Sequence, residues 1–216
     1  MLLDHVGRIL LGNNLVFRIL GRIAFPLFAF FIAEGWKYTR SRKKYVLWLS
    51  AFALISQVPY ALIFKWYKFN IIFTFLYAIL MIVLIELLKK ETKMPSIVKN
   101  LLITISLVTL LGALILADVF GIVDYGLIGV LLILNFYFIK SKLKYLTGAL
   151  LIALFAIRIV LFDGVLFENF IGLFALISIA LLLFYNGKKG SLNLKYFFYV
   201  FYPAHLMVLW IISLII

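Results

Sequence analysis

The chain has 216 residues, of which 67% are hydrophobic and only 13% charged, and its net charge is +13. A soluble domain is about half apolar and about a quarter charged, so a water-soluble fold of this length could not hide so much apolar surface, and lipid is the solvent that fits. The basic residues sit in short clusters between apolar runs, which is the pattern of membrane topology rather than of a nucleic-acid-binding face, and the absence of cysteine excludes disulfides, a thiol nucleophile and a thiolate metal site.

A spanning helix needs about 20 mostly apolar residues. In chain order, residues 1–12 provide half a span. Fuller runs follow at 16–35, 45–64, 71–88, 97–117, 126–139, 145–162, 167–185 and 196–216. The run at 126–139 is short and is expected to thin the bilayer or to tilt little. The connections are short and polar, with no internal repeat or low-complexity tract. The predicted fold class is therefore all-α: a polytopic transmembrane helical bundle of about 8–9 spans, in one integral membrane domain over residues 1–216.

The loops carry an alternating count of Lys and Arg: 5, 2, 4, 0, 3, 0, 3. The rich loops include Lys37–Lys44, Lys89–Lys99, Lys140–Lys144 and Lys188–Lys195. Under the positive-inside rule these face the cytoplasm, which places the C-terminus outside an inner or plasma membrane. Asp118, Asp124, Asp163 and Glu168 then fall in outer loops. Residues 13–15 also fall outside, and the twelve residues before them make only about 18 Å of helix against a core of about 30 Å. Either the first helix is a half-span, or the starting methionine lies inside a longer first helix; an in-frame upstream start is expected. The first apolar stretch lacks a basic leader and a small-residue cleavage site, so no cleaved signal peptide is expected.

Ionisable residues within spans are costly and mark function or a buried pair. Asp4, His5 and Arg8 share one helical face by their i, i+3 and i, i+4 spacing, and the plain reading is an Asp4–Arg8 ion pair beside an interfacial histidine. Arg18 and Arg22 also project to one side; they either snorkel to headgroups or clamp an anion. Pro26 leaves the Arg22 carbonyl without its intrahelical donor and should kink that helix. His205 lies midway along the last run, two residues after Pro203, where the helix is expected to be locally broken. Glu34 can pair with the neighbouring basic loop, while Glu86 and Arg158 lie near span ends and snorkel. No P-loop, GxSxG, HExxH or Cys/His cluster is present, and two histidines among scattered carboxylates give no specific metal site.

Several of these segments together resemble the TraX family. They are Asp4-His5-Val6-Gly7, the stretch from Phe17 through Arg18, Arg22 and Phe25-Pro26-Leu27-Phe28, and Glu34-Gly35 with Thr39-Arg40. Ser56-Gln57-Val58-Pro59, Asp124-Tyr125-Gly126, Tyr185-Asn186-Gly187 and the run from Lys195 to His205-Leu206 follow in order, so the likeness covers nearly the whole chain. The family is named for a conjugation protein that acetylates pilin, and it looks like a relative of membrane acyltransferases that use acetyl-CoA. In that broader group a histidine ends the first helix and a Pro-Leu-Phe…Gly pattern marks the second; His5 and Pro26-Leu27-Phe28…Gly35 stand in those places. One departure is that family members usually carry ten or more residues before the Asp-His pair, where this sequence has three.

The resemblance implies a membrane-embedded acyltransferase that takes acetyl from acetyl-CoA, without a metal, to a pilin-like protein or another acceptor at the bilayer. Its candidate catalytic residues are His5, His205 and Asp4. Candidate substrate-binding residues are Arg18, Arg22, Asp124, Tyr125 and Glu34. Histidine suits the base because its pKa lies near ambient pH. By the charge rule, His5, Arg18, Arg22, His205, Asp118 and Asp124, from distant parts of the chain, fall between the bilayer centre and its outer face, which predicts a polar cavity there. The competing classes are a small transporter, which an internal repeat would favour, and a non-catalytic assembly factor for a conjugation or secretion apparatus. The topology has its own test. Single cysteines replacing Lys43 and Asp163 should differ in labelling by an impermeant reagent on intact cells, with only Asp163→Cys modified; external labelling of Lys43→Cys would reverse the orientation.

Overall fold

The structure is a computed structural model that describes residues 1–64, 68–90, 94–163, 171–188 and 195–215. Lys65, Lys93, Glu168 and Lys189 lie outside the described residues, as do the side chains of Arg158, Asp163 and Lys195. The helices are α1 (Leu2–Ile9), α2 (Leu15–Arg22), α3 (Ala24–Tyr38), α4 (Arg42–Ile63), α5 (Ile71–Lys90), α6 (Ser96–Val119), α7 (Gly126–Phe138), α8 (Leu143–Asp163), α9 (Leu176–Leu183) and α10 (Lys195–Ser213). β structure among the described residues is limited to an isolated bridge between Phe69 and Val123. Four stretches are long and apolar enough to cross a membrane: Leu15–Tyr38, Arg42–Ile63, Ile71–Lys90 and Ser96–Val119. The remaining apolar helices are shorter. The protein is an integral membrane protein built as an all-α bundle.

Local sequence accounts for the helix ends. Gly12 and Asn13 both take positive φ, 56° and 71°, and turn the chain between α1 and α2. Asn14 then caps α2, its side chain accepting from the Val16 and Phe17 amides at 3.1 and 3.4 Å. Ser41 caps α4 through the Lys44 amide. As expected from Pro26, the long helix is interrupted between Arg22 and Ala24. Pro203 behaves differently: α10 runs unbroken through it. A single proline removes one backbone bond, to the Tyr199 carbonyl, and packing of α10 against α4 and α1 keeps the helix continuous.

The short helix α7 sits at the centre, against α3, α5, α6 and α8. Gly126, Ile128, Gly129, Val130, Leu132, Ile133, Asn135 and Phe136 are all buried. Protein, not lipid, surrounds most of this helix, so its short length is accommodated inside the bundle rather than by thinning the bilayer. Close approach depends on small residues, as it does in other membrane bundles: Ala29, Ala53 and Ala78 are fully buried at the seams. Where α7 meets α5 and α3, a methyl group on Gly129 would stand 2.8 Å from Thr74 Cγ2. Helix α6 has a different role. Only Leu114 is buried among its residues, and the remainder presents the apolar surface that lipid requires.

The two ends of the bundle differ in charge. At one end Arg42 reaches Glu86 and Tyr137 donates to the same carboxylate. Glu86 is therefore an inter-helix anchor and does not snorkel. Lys89 lies over the Phe138 ring and Lys144 over Phe30 and Tyr145. At the other end the α4–α5 and α6–α7 loops meet, the Phe69 amide donating to the Ile122 carbonyl at 2.7 Å.

Asn70 joins α4 to α5 and is fully buried. Its amide nitrogen donates to the Ala53 carbonyl at 2.8 Å and to Gln57 Oε1 at 2.9 Å, and its oxygen accepts from the Ile72 amide at 3.0 Å. Gln57 in turn donates to the Lys68 carbonyl at 2.7 Å. Replacing Asn70 by Ala strands the groups on both sides, at roughly 1–3 kcal/mol for an unsatisfied buried group. Asn70→Ala should therefore lower the unfolding midpoint in detergent; an unchanged midpoint would show that this junction contributes little.

Candidate functional site

Helix α1 packs on α2 and α10, which brings the first and last parts of the chain together. His5 Nδ1 lies 2.9 Å from His205 Nε2, and the ring planes are within 6° of one another. Both residues are buried, at 9% and 6% exposure. His205 Nδ1 lies 2.8 Å from the Phe201 carbonyl oxygen. The Phe64 ring packs on His5, and the Phe201 and Tyr202 rings on His205, which restrains both imidazoles.

His5, but not His205, borders a small chamber of about 60 Å³, which is also lined by Asp4, Arg8, Arg22, Tyr60 and Tyr125, among others. That is room for about two water molecules. Arg22 Nη1 donates to the Tyr125 hydroxyl at 3.3 Å, and the Tyr125 ring stacks on Phe25 at 3.8 Å between centroids. Tyr125 holds a left-handed backbone, φ 56°, at the N-terminus of α7, a conformation uncommon for a bulky residue. Asp4 Oδ1 is buried and accepts no hydrogen bond among the described residues.

Two larger cavities adjoin the chamber. One, of about 550 Å³, opens at the end of the bundle and shares Arg8, Tyr60, Phe64 and Asp124 with it; Lys68 and Trp210 are among its other lining residues. The other, of about 230 Å³, shares Arg22, Phe25 and Tyr125 and continues between apolar side chains of Ile128, Leu132, Ile152 and Phe155. The Thr74 hydroxyl donates to the Asp124 carbonyl at 2.6 Å, which ties the loop to α5. Burial pushes the Asp124 carboxyl up to about 6, against the pull of Arg22 and Arg8.

His5, His205, Asp4, Arg22, Asp124 and Tyr125 thus come together. Arg18 lines the apolar cavity with Arg22 and is only 8% exposed, so it turns inward rather than snorkelling to headgroups. The Arg8 guanidinium lies over the Phe64 ring at 5.2 Å and faces the open cavity. Glu34 is not brought to the site. It lies twelve residues beyond Arg22, about 18 Å of helix, where Lys37 Nζ approaches it at 3.5 Å. Tyr60 was not singled out by the sequence, although it directly follows the quoted Ser56-Gln57-Val58-Pro59 stretch. It is 5% exposed and borders both the chamber and the open cavity.

A family model described as "TraX protein" matches residues 1–213. The chain belongs to the TraX family. This TraX-family chain is also similar to a protein described as a probable fimbrial assembly protein FimC, serogroup H1, of Dichelobacter nodosus. That relative is 28% identical over 238 aligned positions, which cover 97% of this chain and 89% of the relative. No solved structure matches.

The site of this TraX-family chain depends on the α1–α2 seam. A methyl group on Gly21 would stand 2.8 Å from Asp4 Cα and closer still to its Cβ, and the rigid backbone there cannot yield as a flexible side chain would. Gly112 on α6 has open space around the same position. Gly21→Ala should therefore push α1 away from α2 and lower the unfolding midpoint, overpacking costing roughly 1–3 kcal/mol. Gly112→Ala should leave the midpoint unchanged or raise it, through helix propensity of up to about 1 kcal/mol. Equal behaviour of the two variants would mean that the seam is not tight.

Proposed function

We propose that this protein is a membrane-embedded acyltransferase that moves an acetyl group from acetyl-CoA to a pilin-like protein or a similar acceptor. The observation that carries the reading is a hydrogen-bonded histidine pair, buried beside Arg22 and Tyr125, at the junction of a polar cavity and an apolar one. Acyl transfer between two substrates needs a base next to a point that both can reach. The open, polar cavity with Arg8, Lys68 and Asp124 suits a polar acceptor. The apolar cavity suits the arm of a thioester; along α7 it reaches Leu132, six residues or about 9 Å past Gly126, toward the middle of the bundle. In this reading Arg22 and the Tyr125 hydroxyl, already joined by a hydrogen bond, would stabilise the negative charge that develops on a thioester oxygen.

Membership of the TraX family and likeness to a fimbrial assembly protein support an acceptor of the pilin class. The positive-inside pattern supports placement in an inner or plasma membrane, with the open cavity and the C-terminus outside and the basic loops facing cytoplasmic CoA.

The test uses purified protein in detergent with acetyl-labelled acetyl-CoA and peptides bearing free amines, reading label transfer and release of free CoA thiol. Transfer should depend on the protein, and His5→Ala should reduce its rate by about 10²–10⁴, the usual contribution of a base, in a protein that still folds. Full activity in both His5→Ala and His205→Ala would exclude histidine catalysis. A lack of transfer to any amine- or hydroxyl-bearing acceptor would favour a transporter or an assembly factor.

A further inference from the structure

We propose that the two histidines have unequal roles: His5 is the base, acting through Nε2, and His205 is a positioning residue that holds His5 in its Nδ1–H tautomer. This assignment rests on the acyltransferase reading, but its structural half can be examined without it. The starting point is the Phe201 carbonyl, which can only accept a hydrogen bond. His205 Nδ1 lies 2.8 Å away and must carry the proton between them. A neutral imidazole with a proton on Nδ1 has only a lone pair on Nε2. His205 Nε2 is 2.9 Å from His5 Nδ1, so His5 must donate there, and its own proton is likewise on Nδ1. The direction of the whole chain is therefore set by one backbone oxygen: His5 donates to His205, which donates to Phe201.

What remains is the lone pair on His5 Nε2. His5 lines the small chamber, and His205 does not. The basic nitrogen is thus on the ring that borders the chamber. His205 fills the place that a carboxylate or carbonyl often takes behind a working histidine, fixing tautomer and ring orientation through the second nitrogen. The packing suits that task. Phe201 stacks on the His205 ring with centroids 5.0 Å apart, and Leu206 is fully buried next to it in sequence.

The step then balances as follows. The nitrogen or oxygen of the acceptor attacks the thioester carbonyl carbon while His5 Nε2 takes the acceptor's proton. The new bond to carbon forms, the carbon–sulfur bond breaks, and the thiolate leaves with the proton returned from Nε2. While His5 is an imidazolium, its Nδ1–H bond to His205 becomes charge-assisted and stronger, so His205 favours the charged intermediate over the resting state.

The chain has two histidines, which makes a spectroscopic test simple. Protein purified without a histidine tag and labelled with ¹⁵N-histidine should show both rings as neutral Nδ1–H tautomers near neutral pH. His205→Leu should release His5 from that tautomer and lower kcat by roughly 10–100-fold with KM little changed, the scale of losing a residue that orients a working histidine. His205→Gln supplies an amide oxygen near the place of Nε2 and should restore both the His5 tautomer and most of the rate. An Nε2–H tautomer or an imidazolium at His5 in an active wild-type protein would overturn the relay while leaving the transferase reading intact. Undiminished kcat in His205→Leu would do the same. Nδ1–H tautomers in a protein that transfers no acyl group would overturn the role of His5 as base together with the transferase reading. Should His205→Leu fail to fold, the wild-type spectrum and His205→Gln decide the matter.

Discussion

Hydrocarbon offers no hydrogen bonds, and that constraint orders the interior of this bundle. Each polar group that enters the membrane has to find a partner within the protein. Asn135 donates to the Lys144 carbonyl at 2.8 Å and accepts from Thr147, joining α7 to α8. Ser178 turns back to the Ala175 carbonyl, and the Tyr77 hydroxyl reaches the Leu110 carbonyl across α5 and α6. Asn70 and Gln57 satisfy the α4–α5 junction together. Against that background the buried groups without a partner among the described residues stand out: Asp4 Oδ1, Trp36 Nε1 and Ser56 Oγ. Asp4 lines the chamber beside the histidines, where a water molecule or a substrate can complete its bonding.

The same constraint explains why the site is made from the two ends of the chain. A lone histidine in α1 would carry two unsatisfied ring nitrogens into an apolar surrounding, a cost of several kcal/mol in hydrocarbon. Pairing with His205 satisfies one of them and gives α1 a fixed place against α10. The Gly7 and Gly21 seam then lets α1 lie close enough to α2 for Asp4 to stand over Gly21, with Arg22 at the next position in the chain. Packing, hydrogen bonding and the position of the charges are therefore linked: loosening the seam displaces Asp4 and His5 together.

The surroundings of the histidines are polarised. Toward the end of the bundle the walls carry Arg8, Lys68 and Asp124; toward its middle they carry Ile128, Leu132, Ile152 and Phe155. Arg22 and Tyr125 stand at the boundary, and both are held, by their mutual hydrogen bond and by the stacking of Tyr125 on Phe25. Groups that are already oriented need no reorganisation as charge develops, which is what the proposed transfer would draw on at this boundary.

Much of this was legible in the sequence, and for one reason: apolar runs and loop charges are properties of consecutive residues, and lipid reads them directly. The helices lie where those runs predicted over the described residues, and the helix that carries Pro26 is interrupted between Arg22 and Ala24, as expected. The family, too, was visible from short motifs spread along the chain, because residues such as His5, Arg22 and His205 are costly in a membrane and conspicuous there. Local chemistry was less decisive where packing intervened. Pro203 leaves α10 unbroken, Glu86 is held between Arg42 and Tyr137, Arg18 turns inward, and Glu34 stays at the far end of α3. What only the tertiary structure decided is which polar residues meet. His5 and His205 are 200 positions apart, and no spacing rule connects them; their contact exists because α1 and α10 pack together, and the part each nitrogen plays is set by a carbonyl that becomes visible only once the side chains are in place.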